Sequence, residues 1–556
     1  MIDYRAPLDE MLFTLRQAGQ VARLADWDDE LATTLLDHAS QWVNEVIAPL
    51  DPIGDKAGAH LVQGRVQMPP AFKTAYESYR EGGWPGLDAP EEFGGQGLPH
   101  VLHSLLNEMM AGACITFEMV VSLAGAAART IEVNGSAEQK ARYLPLLASG
   151  DWLASMCLTE SQAGSDLGLV RSLATPAGDG SWRISGGKIF ISAGDQNLTG
   201  KVVHLVLART PNAPPGLKGL SLFIAPSDLP DGKRNGIAVV RLEEKMGMHS
   251  SPTCQMAFDE AWAEMVGAPG EGLMRMFTMM NAERLDVSLQ GVSLAEVAAQ
   301  RSRAYVAQRK QGKAGKGGDG GPDFLHRHSD IRRMLLQQQT LASACRALVY
   351  RALVELELDR NRDLVEFLTP VCKAFCTEAG QEAAQLAIQT HGGYGFLSEY
   401  RVEQILRDGR ITLIYEGTNG IQALTLVGRL LRLRNGQCAE AFRTFVAEAI
   451  AAAPPTTAEA LRRALGQWDE AASIVASLSD PGLVATSFMR LTGLLASGAA
   501  LSSLEAAADR SPNPARILAI TDYFRDWLLP ETAHLARQCA VGLDLGALAE
   551  EVFVDA

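Results

Sequence analysis

Apolar residues recur at helical spacing through the first part of the chain. Leu31, Leu35, Leu36, Ala39, Trp42, Val43, Val46 and Ile47 form one such stripe, expected to end at Pro49. A loop over residues 82–97 precedes a further helix carrying Glu108, Met109 and Met110. From about residue 152 the period shortens. Apolar runs at 202–207, 220–224 and 237–240 lie between turn clusters such as Pro211-Asn212-Ala213-Pro214-Pro215-Gly216, predicting a small β-barrel or sandwich. Helical spacing returns from Gly272 to about Arg434, broken by a Gly- and Lys-rich stretch at 311–322. That stretch reads as a solvated loop and not a phosphate loop, because Gly317 is followed by Gly318-Asp319 where Lys and Ser/Thr would be needed. Ser329 reads as the N-cap of a helix over 330–359, which explains His326, His328 and Asp330 more simply than a metal site does. Beyond 436 an Ala-rich stretch, cut at Pro454-Pro455, Asp480-Pro481-Gly482 and Ser511-Pro512, predicts three or four more helices. Its stripes, Leu461/Leu465/Trp468/Ala472 and Leu491/Leu494/Leu495, need a surface to bury against.

The chain has 556 residues, enough for three or four domains, expected at 1–151, 152–263, 264–435 and 436–556. A net charge of −15 argues against nucleic-acid and membrane-surface partners, although local basic spots still suit an anionic ligand. The eight cysteines form no metal array, and Cys372 and Cys376 read as small buried hydrophobes on one helix face. No run of roughly 20 continuous apolar residues is present. The early acids Asp3, Asp9 and Glu10 do not suit a secretory or organelle leader, so a cytoplasmic location is expected.

The chemistry concentrates in Tyr415-Glu416-Gly417-Thr418-Asn419-Gly420. Glu416 follows an apolar run and precedes small, turn-forming residues. Burial disfavours the charged form of a carboxylate, which would suit Glu416 to act as a general base; an acid favouring a helix start is the simpler role. Three further segments stand upstream: Leu158-Thr159-Glu160-Ser161-Gln162-Ala163-Gly164-Ser165-Asp166, Asn281-Ala282-Glu283-Arg284-Leu285 and His391-Gly392-Gly393-Tyr394-Gly395-Phe396. In this order the four segments resemble the acyl-CoA dehydrogenase family of flavoproteins, over roughly residues 35 to 435.

The resemblance implies a mainly α fold with a β insert: an N-terminal helical domain, a middle β-barrel domain and a C-terminal helical bundle, here with an additional helical domain. It implies FAD as cofactor and an acyl-CoA thioester as substrate. Glu416 would take the α-proton, the flavin would take the β-hydride, and the Glu416 amide and a ribityl hydroxyl would polarise the thioester carbonyl. The product is the trans-2-enoyl-CoA. Some family members place their base at the position of Glu283, but those generally lack the glutamate that this chain keeps at 416.

Flavin contacts are implied at Leu158, Thr159, Ser165, Phe190, Ile191, Ser192 and Thr418. Phe190 stands where Trp is common and Ser192 where Thr is common. Arg309 would reach the FAD pyrophosphate, although Gln311-Gly312 replaces the family's Thr-Phe after Arg-Lys. Gln389, Gly392 and Gly393 resemble the segment that meets FAD from a neighbouring subunit. Ser165, Asn281, Arg284 and Gly417 match positions that contact the CoA substrate. No metal and no catalytic role for His249 are implied. The resemblance further implies electron-transfer flavoprotein as the electron acceptor and a homo-oligomer, here expected to be a homodimer. An acyl-CoA oxidase using O₂ and a non-catalytic scaffold of the same fold are the competing readings. The additional domain makes the chain resemble the 3-(methylthio)propanoyl-CoA dehydrogenase branch, which also contains short- and medium-chain enzymes. It carries no acid, base or phosphate loop that the chemistry requires, so its expected part is in solubility and assembly.

Overall fold

The computed structural model describes residues 4–315, 321–541 and 545–553. Gly317, Gly318 and Asp319 lie outside the described residues. The chain gathers into two compact units, one built from residues 34–286 and the other from 7–33 with 287 onward. Each is described by itself.

The first unit combines helices with a seven-stranded sheet. Asp29–Trp42 and a π-helical turn, Val43–Ile47, carry the expected stripe, with Leu36, Ala39, Val43 and Ile47 buried. Two details differ from the periodicity. Leu31 is 46% exposed, and Pro49 does not end the helical path, because Leu50–Ala57 follows directly with Pro49 as its N-cap. Helix α1 (His100–Val121) is buried along nearly its whole length.

The strands are β1 (Leu153–Cys157), β2 (Leu173–Pro176), β3 (Trp182–Ser192), β4 (Val202–Arg209), β5 (Leu220–Pro226), β6 (Ile237–Leu242) and β7 (Thr253–Val266). The pairings β4–β2, β2–β3, β3–β7, β7–β5 and β5–β4 close on themselves, with β1 attached to β4 and β6 to β7. Of the two expected architectures the closed barrel is the one formed. Closure removes edges that would otherwise expose unpaired backbone groups. β4 and β5 are buried almost residue for residue, which is why they read as continuous apolar runs without alternation.

In the second unit, long helices α2 (Gly272–Gln308), α3 (Ser329–Leu358) and α4 (Arg362–His391) supply the bundle; α2 enters this unit at residue 287. The N-cap of α3 is His328, with no side-chain capping bond; Ser329 is already the first helical residue. Cys372 and Cys376 are fully buried in α4, where burial pushes both thiols up, so they behave as packing groups. A short helix, α5 (Asn419–Thr425), follows the Glu416 segment.

From residue 437 onward there are six α-helices among the described residues, not three or four, including α6 (Pro455–Ser477) and α7 (Ala485–Ala506). Trp468 of α6 is fully buried and donates its indole N–H to Thr492 Oγ1 of α7 at 2.9 Å. The region is packed onto α4 at close quarters, for a Cβ added at Gly493 would stand 2.5 Å from the Phe375 ring. α1 and the stretch Pro481–Ala506 are long and apolar enough to cross a membrane by length and composition, although neither is a continuous apolar run. Both are core helices here, 100% and 78% buried inside the protein over their most apolar windows.

Replacing Gly493 by Leu should therefore overpack the α4–α7 contact and cost about 1–3 kcal/mol. A lower thermal midpoint is expected, and an unchanged one would mean that the two helices are not held this closely.

Candidate active site

On the barrel, the flavin-type segments are brought side by side. Ile189 N–H donates to Thr159 O at 2.9 Å, laying the Leu158-Thr159 turn along β3. The β3–β7 register slips between Lys188 and Ile191. Phe190 sits within this bulge at φ +59° and is 60% exposed. A bulky residue in the left-handed region is strained, and an exposed aromatic there is a feature of functional surfaces. Ile191 is buried against the sheet and Ser192 is half-buried beside it. Ser165 is exposed on the following turn, where a Cβ at neighbouring Gly164 would meet nothing within 4 Å.

Two residues that sequence reasoning left aside hold this surface in place. Lys188 is fully buried and donates to Leu158 O and to Glu160 Oε1, both at 2.9 Å. Glu160 also accepts from Ser172 Oγ at 2.6 Å and from the backbone N–H groups of Arg171 and Ser172. Burial raises the Glu160 carboxyl, but Lys188 and then Ser172 outweigh it and hold the group at about 2. The available signal was a lysine at an inward position of an alternating strand.

Near the start of α2, Arg284 Nη1 donates to Asn281 Oδ1 at 3.2 Å. Asn281 is exposed and Arg284 half-buried, whereas Glu283 between them is only 3% exposed. The two candidate substrate contacts thus share a helix face that Glu283 does not.

In the second unit, Glu416 takes φ +54° and Gly417 φ +85°. Side-chain donors catch the carbonyls of this tight turn. Gln422 Nε2 donates to Glu416 O at 3.0 Å and to Gly417 O at 3.2 Å, and Lys373 Nζ donates to Gly417 O at 2.9 Å. A Cβ at Gly417 would stand 2.6 Å from Gln422 Nε2, so glycine is required there. Thr418 is the N-cap of α5, its Oγ1 accepting from Ile421 N at 3.2 Å. That bond uses a lone pair and leaves the hydroxyl proton for a ligand. Tyr415 preceding Glu416 donates its phenol to Gln290 Oε1.

The same unit holds a cavity of about 490 Å³. Arg309, Gln389, Gly392 and Gly393 line it together. Arg309 lies 5.3 Å from the centroid of the Tyr394 ring, and Tyr305 stacks on His391 at 4.2 Å. Gly392 has φ +60°, and a Cβ at either glycine would meet nothing within 4 Å. An exposed guanidinium over open backbone suits a phosphate group. The wall aromatics Tyr305 and Tyr394 were not anticipated. Gln311 N donates to Asp323 O and Asp323 N to Gly312 O, both at 2.9 Å. His328 Nε2 lies 2.8 Å from Gln311 O, and Asp330 pairs with Arg333, so neither residue points to a metal.

Comparison with known proteins decides the family. Residues 30–151, 155–261 and 270–431 match the N-terminal, middle and C-terminal domain models of acyl-CoA dehydrogenase. The chain belongs to the acyl-CoA dehydrogenase family. It is 39% identical to the 3-methylmercaptopropionyl-CoA dehydrogenase of Ruegeria pomeroyi over 91% of this chain and 92% of that protein. Its fold resembles that of a Bacillus anthracis acyl-CoA dehydrogenase complexed with FAD, at TM-score 0.74 and 23% identity over 95% of this chain and 91% of the other. It also resembles Caenorhabditis elegans ACDH-11 in complex with C11-CoA, at TM-score 0.81 and 18% identity over 100% and 96%. This acyl-CoA dehydrogenase is an FAD enzyme. The residues present fit that cofactor, with an exposed aromatic on a strained bulge and a cationic, glycine-floored cavity.

The Lys188–Glu160 pair yields a test. Glu160→Gln leaves a buried ammonium without its counter-charge, and loss of one partner of a buried pair costs about 3–5 kcal/mol. The carboxyl sits below its ordinary value of 4.5, so its stabilisation is full above that pH and drains away as pH falls toward about 2. Denaturation midpoints of the wild type should fall across that window, and the Glu160→Gln variant should lose part of this slope.

Proposed function

We propose that this enzyme oxidises a saturated acyl-CoA to the trans-2-enoyl-CoA with Glu416 as the base. The observation that carries this reading is the turn at Glu416, whose strained residue has its own and the next carbonyl tied down from within the same unit. Holding the carboxylate still confers the orientation that proton abstraction needs. The Glu416 amide polarises the thioester carbonyl, acidifying the α C–H as the carboxylate takes it. Bound FAD would supply the hydride acceptor. Leu158, Thr159, Ser165, Phe190, Ile191, Ser192 and Thr418 bind its ring system, while Arg309, Gln389, Gly392 and Gly393 neutralise and orient its pyrophosphate. Ser165, Asn281, Arg284 and Gly417 bind the acyl-CoA.

The substrate is 3-(methylthio)propanoyl-CoA or an acyl-CoA of similar short length. Identity to the Ruegeria pomeroyi enzyme along nearly the whole chain, appended region included, supports that choice. Electrons pass to electron-transfer flavoprotein, and the enzyme works in the cytoplasm as a homodimer.

Glu416→Gln should retain FAD yet reduce it roughly 10²–10⁴-fold more slowly when mixed anaerobically with substrate. Glu283→Gln should cost far less, and the reverse order would move the base to α2. Hydrogen peroxide formed stoichiometrically in aerobic turnover would replace the dehydrogenase reading by an oxidase.

Arg309 and the glycines present an open phosphate cradle on one subunit's surface, so FAD loading and subunit association should be linked. Sedimentation is expected to give dimers whose dissociation releases FAD. A monomer with full FAD occupancy would overturn this.

A further inference from the structure

α4 carries a lysine on its buried face, directly beneath the Glu416 turn. Lys373 is fully buried, and its ammonium donates to Gly417 O and to Asn419 Oδ1, both at 2.9 Å. Asn419 is the first residue of α5, and its amide returns to α4. It donates to Ala374 O at 3.2 Å, Thr377 Oγ1 at 3.1 Å and Glu378 Oε1 at 3.4 Å. The turn is thereby riveted to α4 through one ammonium and one carboxamide.

The chain of contacts does not stop there. Glu378 lies five residues along α4 from Lys373 and is half-buried. Burial raises its carboxyl; the positive charge of Arg490, the Asn419 bond and Lys373 oppose this, and Glu382 adds to it. Arg490 belongs to α7 in the appended region. It forms a bidentate pair with Glu531 at 2.8 and 3.0 Å and approaches Glu382 at 3.6 Å. α7 also packs against α5. A buried ammonium needs compensating negative charge, and the nearby carboxylates in turn need a cation. Arg490 provides it from a region in which the sequence shows no chemistry.

We propose that Lys373 and, acting through Glu378 and Asn419, Arg490 are positioning residues for Glu416, so that the appended region takes part in setting the proton-transfer geometry. The proposal rests on Glu416 being the base. Without the ammonium, the Gly417 carbonyl loses a principal anchor and the Gly417–Thr418 peptide, which follows the turn residue, can rotate. Glu416 then relaxes out of the left-handed region and its carboxylate swings away from the α C–H. A displacement of about 1 Å in a reacting group slows a reaction on the order of 10²-fold.

The test uses FAD-loaded full-length protein and two readouts. One is the rate of anaerobic flavin reduction by acyl-CoA. The other is the long-wavelength absorbance formed with a 3-thia-acyl-CoA, which can lose an α-proton but has no β C–H to give, and so reports the proton step alone. Lys373→Met should bind enoyl-CoA with near-normal affinity yet reduce its flavin about 10²-fold more slowly and form little of the band. Arg490→Met should act in the same direction by about 3–10-fold, and Arg490→Lys, which keeps the charge, should recover most of the loss. If Lys373→Met does not fold or load FAD, Asn419→Ala removes the other rivet and is read in the same way. Normal flavin reduction and a normal band in these variants, with Glu416→Gln inactive, overturn the proposal. Weakened enoyl-CoA binding with an unchanged limiting rate overturns it too. Normal rates in Arg490→Met alone remove the appended region from it. An active Glu416→Gln would instead defeat the base assignment beneath.

Discussion

A carboxylate proposed as a base must be held still, and here the proposed one stands on a residue that does not favour its own backbone conformation. Glu416 lies at φ +54°, followed by Gly417 at +85°. Conformations of this kind cost about 1–3 kcal/mol for a residue with a side chain and persist only where the surroundings over-determine them. Here the surroundings are Gln422 from the following helix, Thr418 as its cap and Lys373 from α4. Each makes a bond that relaxation of the turn would strain or break. The buried lysine then obliges the protein to bury negative charge nearby, and that obligation shapes the helices around it.

The barrel meets the same problem in the same way. Phe190 is also strained, at φ +59°, and a fully buried lysine again stands beneath, with Lys188 gripping Leu158 O and Glu160. An ammonium suits both places because its three donors radiate from one point and can gather a backbone carbonyl and a side-chain oxygen together. In water each such bond would contribute little. Shielded from solvent they are stronger, and losing one partner of the set is far more costly than the set was worth. Rigidity at these two surfaces therefore comes from buried polar groups more than from apolar packing.

Much of this was legible along the chain. The change from helical period to short apolar runs marks the barrel, and the Glu416 and His391-Gly392-Gly393 segments mark two of the surfaces that the structure presents. What was not legible depends on long-range partners. Lys373 reads as a stray charge between Cys372 and Cys376 until Gly417 and Asn419 are brought onto it from more than forty residues away. Glu160 shows no partner along the chain until Lys188, 28 residues on, reaches it from β3. Leu31 fits its stripe yet is exposed, because periodicity reports a face and not where the neighbouring element ends. The Ala-rich tail was undercounted for a related reason. Small residues give weak periodicity, and its short helices bury few side chains each, Ile517, Ile520 and Thr521 in one and Thr532, Leu535 and Cys539 in another.

α4 unites these observations in one element. It runs for 30 residues, about 45 Å at 1.5 Å per residue. Lys373 on its buried side meets the Glu416 turn, Glu378 accepts from Asn419 just after it, Phe375 meets Gly493 of the appended region, and Gln389 near its end lines the cationic cavity. The appended region packs on α4 and places Arg490 3.6 Å from Glu382, so under the proposal above it supports the element on which both the Glu416 turn and the cavity rest. A region without a catalytic group can in this way be needed for catalysis. Its contribution lies in removing freedom from an element whose two working surfaces tolerate little of it.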